Sequence, residues 1–144
     1  MRIEAASSRD LPGIQRLLQC VALPAEGAGE RLATTLVARE DSRLIGTAAV
    51  EFYPDGALLR SVAVEPGKQG SGIGRELTEA ALRLAREGGA GAVYLLTTTA
   101  QRFFPKFGFE TITRDAVPET VKASDEFRGV CCASAVVMRK TLLP

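Results

Sequence analysis

The stretch Val62-Ala63-Val64-Glu65-Pro66-Gly67-Lys68-Gln69-Gly70-Ser71-Gly72-Ile73-Gly74-Arg75-Glu76-Leu77 decides the fold. Its first residues are apolar and β-branched, which favours a strand, and Pro66 ends that run. A glycine-rich turn follows, and beyond it apolar residues recur at helical spacing. A glycine turn at a helix N-terminus gathers several backbone N–H groups around one point, where the helix dipole also favours negative charge. That arrangement suits a phosphate. Two familiar phosphate loops do not fit. The dinucleotide fingerprint needs G-x-G-x-x-G, but Gly70-x-Gly72-x-x leads to Arg75. A Walker A loop needs Gly-Lys-Ser/Thr after its spacer, whereas Gly72 is followed by Ile73-Gly74. The plainer alternative is a glycine turn that merely joins strand to helix.

Histidine is absent from the chain. This excludes a Ser-His-Asp triad, a Cys-His pair and the His-containing zinc sites. Proton transfer is left to carboxylates, Tyr, Cys, Lys, backbone or water. No metal cofactor is predicted. The 144 residues, 46% hydrophobic and 24% charged, predict one soluble domain over 1–144 with a sizeable core. A net charge of +1 without a long Lys/Arg run argues against nucleic acid or a charged membrane surface as partner. Three cysteines, two of them adjacent at Cys131-Cys132, argue against a disulfide framework and for a reduced, cytoplasmic protein. The start Met1-Arg2-Ile3-Glu4 lacks a signal-peptide apolar region, and no apolar run reaches the length of a membrane span.

Along the chain, residues 2–5 read as a first strand. Ser7, Ser8 and Asp10 offer N-cap oxygens to a helix whose apolar residues are Leu11, Ile14, Leu17, Leu18 and Val21. A loop over 23–29 leads to a short helical piece at 30–34. Strands are expected at 36–39 and 44–53, then at 57–65 after the turn Pro54-Asp55-Gly56. A helix over 74–87 follows, with Leu77, Ala80, Ala81, Leu84 and Ala85 inward, a Glu79/Arg83 pair outward and Gly88-Gly89 as its stop. Further strands are expected at 92–97, 109–114 and 135–139, and further helices at 99–107 and 117–123. This order predicts a mixed α/β fold with a mostly antiparallel front half.

The second strong feature is Thr97-Thr98-Thr99-Ala100-Gln101-Arg102-Phe103-Phe104-Pro105-Lys106-Phe107-Gly108-Phe109. With Gln69-x-x-Gly72-x-Gly74 before it, this stretch resembles the GCN5-related N-acetyltransferases (GNAT), over nearly the whole chain. The resemblance implies an α/β (α+β) GNAT fold: a mixed, mostly antiparallel central sheet flanked by helices, split between the strands 57–65 and 92–97. Thr97 stands where the family usually has Asn, while Ala100, Phe103, Gly108 and Phe109 match its pattern. Leu58–Val64 and Cys132–Val136 resemble small arsenic-resistance-type N-acetyltransferases. The downstream pattern through Asp115, Val117-Pro118-Glu119 and Ser134 is similar to the acetyltransferase domain of N-acetylglutamate synthases. Those synthases carry an aromatic, Asn- and Arg-rich segment where this chain has Gly129-Val130-Cys131-Cys132-Ala133, so the first group is favoured over glutamate as acceptor.

The resemblance implies an acetyl-CoA-dependent N-acetyltransferase acting on a small amine, an amino acid or amino-acid-like toxicant, by direct transfer in a ternary complex. It implies that Val62 and Val64, with Ala63, present backbone groups to the acetyl carbonyl and pantetheine arm. It places the pyrophosphate on Gln69, Gly70, Ser71, Gly72, Ile73, Gly74 and Arg75, and adds Thr97, Phe103 and Phe104 to the coenzyme site. It admits a homodimer. Two departures stand out. Phe104 lies where many relatives have the tyrosine that protonates the leaving thiolate, and Leu58 where some have a glutamate base.

Read from the residues themselves, Glu51 and Tyr53 share a strand face and are candidate bases; a half-exposed polar face is the plainer reading. Arg60 is a charge in an otherwise apolar strand, which is costly unless paired or facing a cleft. It is either an anion site for the acceptor or half of a structural ion pair. Thr98, Thr99 and Ser134 offer hydroxyls to a substrate, or cap strand ends. The rival class is a non-catalytic acyl-CoA-binding sensor, and a protein acetyltransferase is a third.

Overall fold

The computed structural model describes residues 1–124, 126–127 and 135–142. Its strands are β1 (Arg2–Ala5), β2 (Thr35–Glu40), β3 (Arg43–Tyr53), β4 (Gly56–Val64), β5 (Ala92–Thr97), β6 (Glu110–Ile112) and β7 (Val136–Thr141). Its α-helices are α1 (Leu11–Cys20), α2 (Ile73–Glu87) and α3 (Glu119–Lys122). The seven strands form one sheet in the order β1-β2-β3-β4-β5-β7-β6. β1–β2, β2–β3, β5–β7 and β6–β7 pair antiparallel. The two-residue turn between β3 and β4 fixes those neighbours antiparallel as well. β4 and β5 are parallel, through Ala57↔Val93 and Leu58↔Tyr94. That abbreviated ladder is the one expected where the sheet was read as split. Among the described residues no helix is long and apolar enough to cross a membrane.

The chain divides into two compact units. The first comprises Met1–Glu51 and Leu59–Leu84. Its core gathers Ile14, Leu17 and Leu18 of α1 with Ala28, Val37 and Ala63. α1 starts where Asp10 accepts hydrogen bonds from the Ser7 N–H (2.8 Å) and hydroxyl (3.3 Å), satisfying donors a helix N-terminus leaves open. α2 buries Ile73, Leu77, Thr78, Ala81 and Leu82. Leu82 and Thr78 were absent from the predicted stripe; the Thr78 hydroxyl turns back to donate to the Gly74 carbonyl at 2.8 Å, which lets a polar residue sit inside. Glu79 lies 4.0 Å from Arg75, on the turn before it, where Arg83 on the turn after it was expected. Gly46 admits α2 against β3, since a Cβ there would sit 2.8 Å from Leu77 Cδ1.

Arg39 fastens the start of the chain. Its guanidinium bonds to Glu4 and, at 2.7 Å, to Asp10. Arg39 draws the Glu4 carboxyl below its ordinary pKa. Burial pushes the Asp10 carboxyl up, but the Ser7 N–H and the Arg39 guanidinium outweigh it, and the net direction is down. Groups depressed on folding stabilise fully above their unfolded pKa, about 4 for carboxyls, and lose that contribution as pH falls through the lower folded value. Denaturant titrations from pH 6 down to pH 2 are expected to show stability falling below about pH 5, with a shallower slope in Arg39→Met. An equal slope in that variant would remove the clamp from the acid response.

The second unit comprises Phe52–Leu58 and the chain from Ala85 onward. Its core packs Leu58 and Tyr94 with Val117, Val121 and Val137. Gly56, at φ +156°, lies under the Tyr94 ring: a Cβ would meet Tyr94 Cε2 at 2.9 Å. The expected helix at 99–107 reduces to a 3-10 turn over Phe104–Phe107, closed by Gly108 at φ +93°. Pro105 has no N–H to carry an α-helical ladder there. Phe103, Phe104, Phe107 and Phe109 stack edge-on or tilted, with centroids 5.1–5.8 Å apart, geometry that adds about 1 kcal/mol per pair to area burial. The strand expected at 109–114 shortens to β6, and a 3-10 turn takes Arg114–Ala116. The helix expected at 117–123 shortens to α3, because Pro118 lies outside it in extended conformation as its N-cap.

Candidate functional site

The loop between β4 and α2 is built as the sequence predicts. Pro66–Lys68 makes a 3-10 turn, in which the Lys68 N–H donates to the Glu65 carbonyl at 2.8 Å. The Ser71 hydroxyl donates to the Lys68 carbonyl at 2.5 Å, and Gln69 Nε2 to the Val64 carbonyl at 3.2 Å. Gly70 and Gly72 sit at φ +86° and +90°, a conformation that glycine adopts without a Cβ clash. No atom lies within 4 Å of where either Cβ would be. Their glycine identity is therefore a backbone demand and not a packing one. Gln69, Gly70, Ser71, Gly72 and Arg75 are exposed, whereas the Ile73 side chain, 4% exposed, anchors the first turn of α2. The N–H groups that open α2 have no acceptor within the helix itself, and the turn that carries them is held on a fixed scaffold.

Ion pairs brace the loop from the β2–β3 turn. Lys68 Nζ lies 2.6 Å from Glu40 Oε1, and Arg43 bonds to Glu65. Hydrogen bonding from Lys68 holds the Glu40 carboxyl below its ordinary range. Just upstream, Ser61 has φ +59° in mid-strand. For a non-glycine residue that costs about 1–2 kcal/mol. It rotates the backbone of β4 immediately before Val62 and Val64, both half-buried, while Ala63 turns into the core. Nothing in the residue types announces this: serine is unremarkable in a strand, and no Gly or Asn marks the turn.

Arg60 precedes that residue, and its side chain is 3% exposed. Its NH1 lies 3.4 Å from Glu51 Oε1, and Arg31 NH1 lies 3.8 Å from Glu51 Oε2. Arg31 also donates to the Glu26 carbonyl at 3.2 Å. Of the two readings of Arg60, this burial favours the ion pair. Glu51 is half-buried, with its side chain 18% exposed, and is engaged in the same cluster. Arg31 was missed in the sequence, where it looks like an ordinary solvated charge in a short helical piece.

In the second unit, the Thr97 hydroxyl accepts hydrogen bonds from the N–H groups of Ala100 (2.9 Å) and Thr99 (3.4 Å), so it caps the turn after β5. Thr98 and Thr99 are exposed. Phe103 is half-buried and Phe104 only 7% exposed, both in the aromatic cluster. Tyr53 packs against the Leu58 core. Ser134, Cys131 and Cys132 lie outside the described residues. Among the described residues no group of His, Cys, Asp or Glu could hold a metal ion.

A family model described as an acetyltransferase (GNAT) domain matches residues 31–111, more than half of the chain. The chain belongs to that family. An amino-acid acetyltransferase of Neisseria meningitidis is 28% identical over 131 residues, covering 82% of this chain and 29% of that protein. An uncharacterised N-acetyltransferase of Chlorobaculum tepidum is 32% identical over 93 residues, covering 64% of this chain and 59% of that one. The chain thus spans under a third of the Neisseria relative. Among solved structures, N-acetylglutamate synthase from Neisseria gonorrhoeae, complexed with coenzyme A and N-acetyl-glutamate, superposes with a TM-score of 0.88 at 23% identity, over 99% of this chain and 35% of that one. A Mycobacterium tuberculosis protein, in complex with CoA and NLQ, superposes with a TM-score of 0.86 at 24% identity, over 99% of this chain and all of that one. At these identities the likeness is one of fold.

Proposed function

We propose that this chain transfers the acetyl group of acetyl-CoA to the amino group of a small amino acid or amino-acid-like acceptor, the arsenic-resistance type included, by direct transfer in a ternary complex. The observation that carries the reading is the loop: two glycines at positive φ, open above, opening the N-terminus of α2. The family supports the reaction, and the relatives named amino-acid acetyltransferases support the acceptor class.

In this reading the diphosphate rests on backbone amides between Gln69 and Arg75. The re-aimed β4 backbone at Val62 and Val64 holds the acetyl carbonyl and the pantetheine arm. The amine lone pair attacks the thioester carbon, a C–N bond forms, and a Val62 N–H meets the oxyanion. The C–S bond then breaks and the thiolate leaves, while the proton lost by nitrogen passes to solvent. Phe104 supplies no proton, and little is needed, because a thiol ionises at about pH 8.5. Glu51 holds Arg60 in place, and Tyr53 carries no assigned step.

The test is thiol release from acetyl-CoA against amino acids, their phosphinic and arsenical analogues, polyamines and peptides. Turnover confined to amino-acid-like amines is expected. Binding of coenzyme A without turnover of any of these would favour a sensor, and turnover of peptides alone a protein acetyltransferase. Arg60→Ala is expected to lower stability. A raised acceptor KM with stability intact would instead make Arg60 the anion site.

A further inference from the structure

Both cations that flank the phosphate loop are already paired with glutamates. Lys68 meets Glu40 at 2.6 Å, and Arg75 lies 4.0 Å from Glu79. We propose that Glu40 is an internal stand-in for a phosphate of the cosubstrate, and that Lys68 exchanges Glu40 for that phosphate on binding. The inference rests on the acetyl-CoA reading above.

The geometry favours Lys68 for this exchange. Its carbonyl accepts the Ser71 hydroxyl at 2.5 Å, so its backbone belongs to the turn that carries the exposed amides. Its side chain is about one-third exposed, at 35%, and that of Glu40 is 47% exposed. An ion pair so exposed is worth under about 1 kcal/mol, which makes it easy to give up. The 3′-phosphomonoester, or the diphosphate taken as a whole, offers more negative charge and more acceptor oxygens than one carboxylate. Glu40 stays near the loop whatever Lys68 does, because Arg43, three residues along the same hairpin, bonds to Glu65 at the loop's base. Glu40 therefore both parks the lysine in the free protein and opposes the polyanion electrostatically.

The test is coenzyme A binding by calorimetry in wild type, Glu40→Gln and Lys68→Met, at two ionic strengths, with 3′-dephospho-CoA in parallel. Glu40→Gln is expected to tighten coenzyme A about threefold and Lys68→Met to loosen it about fivefold, the scale of exposed charge pairs. The salt dependence should become shallower in Lys68→Met, since one cation–phosphate contact is gone. An equal loss for 3′-dephospho-CoA places Lys68 on the diphosphate; a loss confined to coenzyme A places it on the 3′-phosphate. Unchanged or weaker binding in Glu40→Gln overturns the exchange while leaving the acetyl-CoA reading intact. Failure of the wild type to bind coenzyme A overturns both.

Discussion

Gly72→Val is expected to weaken acetyl-CoA binding by about 100-fold and to leave the melting temperature within about 3 °C of wild type. Gly72 sits at φ +90°, where a β-branched residue is strongly disfavoured. Open space surrounds the missing Cβ, so the substitution creates no clash in the core. The exposed loop relaxes instead by rotating its peptide planes, at little cost in stability. In the proposed site, that rotation turns N–H groups away from the diphosphate. A hydrogen bond to a charged group contributes about 1.5–3 kcal/mol, and losing one or two of them reaches two orders of magnitude. Calorimetry with coenzyme A beside a thermal melt separates the two effects. A large fall in melting temperature with coenzyme A affinity retained would make these glycines structural punctuation and take the diphosphate elsewhere.

The loop was legible because its signal is local. A tight turn from strand to helix needs residues that tolerate positive φ, and Gly70 and Gly72 stand at such positions. β5 matched its expected bounds because it is short, β-branched and framed by turn residues. The failures have another character. The short helices at 99–107 and 117–123 were overextended because Pro105 and Pro118 stop a ladder that helical spacing alone would continue. Ser61 was invisible because its conformation is imposed by tertiary context. Arg60 was recognised as anomalous, yet the second guanidinium on Glu51, that of Arg31, lies 29 residues from it in sequence, and no spacing rule brings the two to one carboxylate. Strand faces and motif glycines are written locally, whereas the polarity of a buried cluster is written by contacts that only folding brings together.

That cluster gives the largest stability effect. Glu51→Gln is expected to cost about 2 kcal/mol, below the 3–5 kcal/mol typical of removing one partner from a fully buried pair, because Glu51 is 18% exposed. The substitution keeps the shape and removes the charge that two guanidiniums face, at 3% and 6% exposure. At roughly 3 °C per kcal/mol for a chain of this size, the melting temperature should fall by about 6 °C. Arg60→Met removes the opposite charge and keeps an apolar stem of similar reach. The two substitutions together should cost less than the sum of their separate effects, by about 1 kcal/mol or more, because each alone leaves the other's charge facing a weaker partner. Additive losses would mean that the 3.4 Å contact carries no coupling and that burial of Arg60 is sustained by its other neighbours. Non-additive losses with acceptor KM unchanged in the surviving variants would fix the cluster as scaffold: a rigid ionic brace that holds β4 where its backbone turns at Ser61.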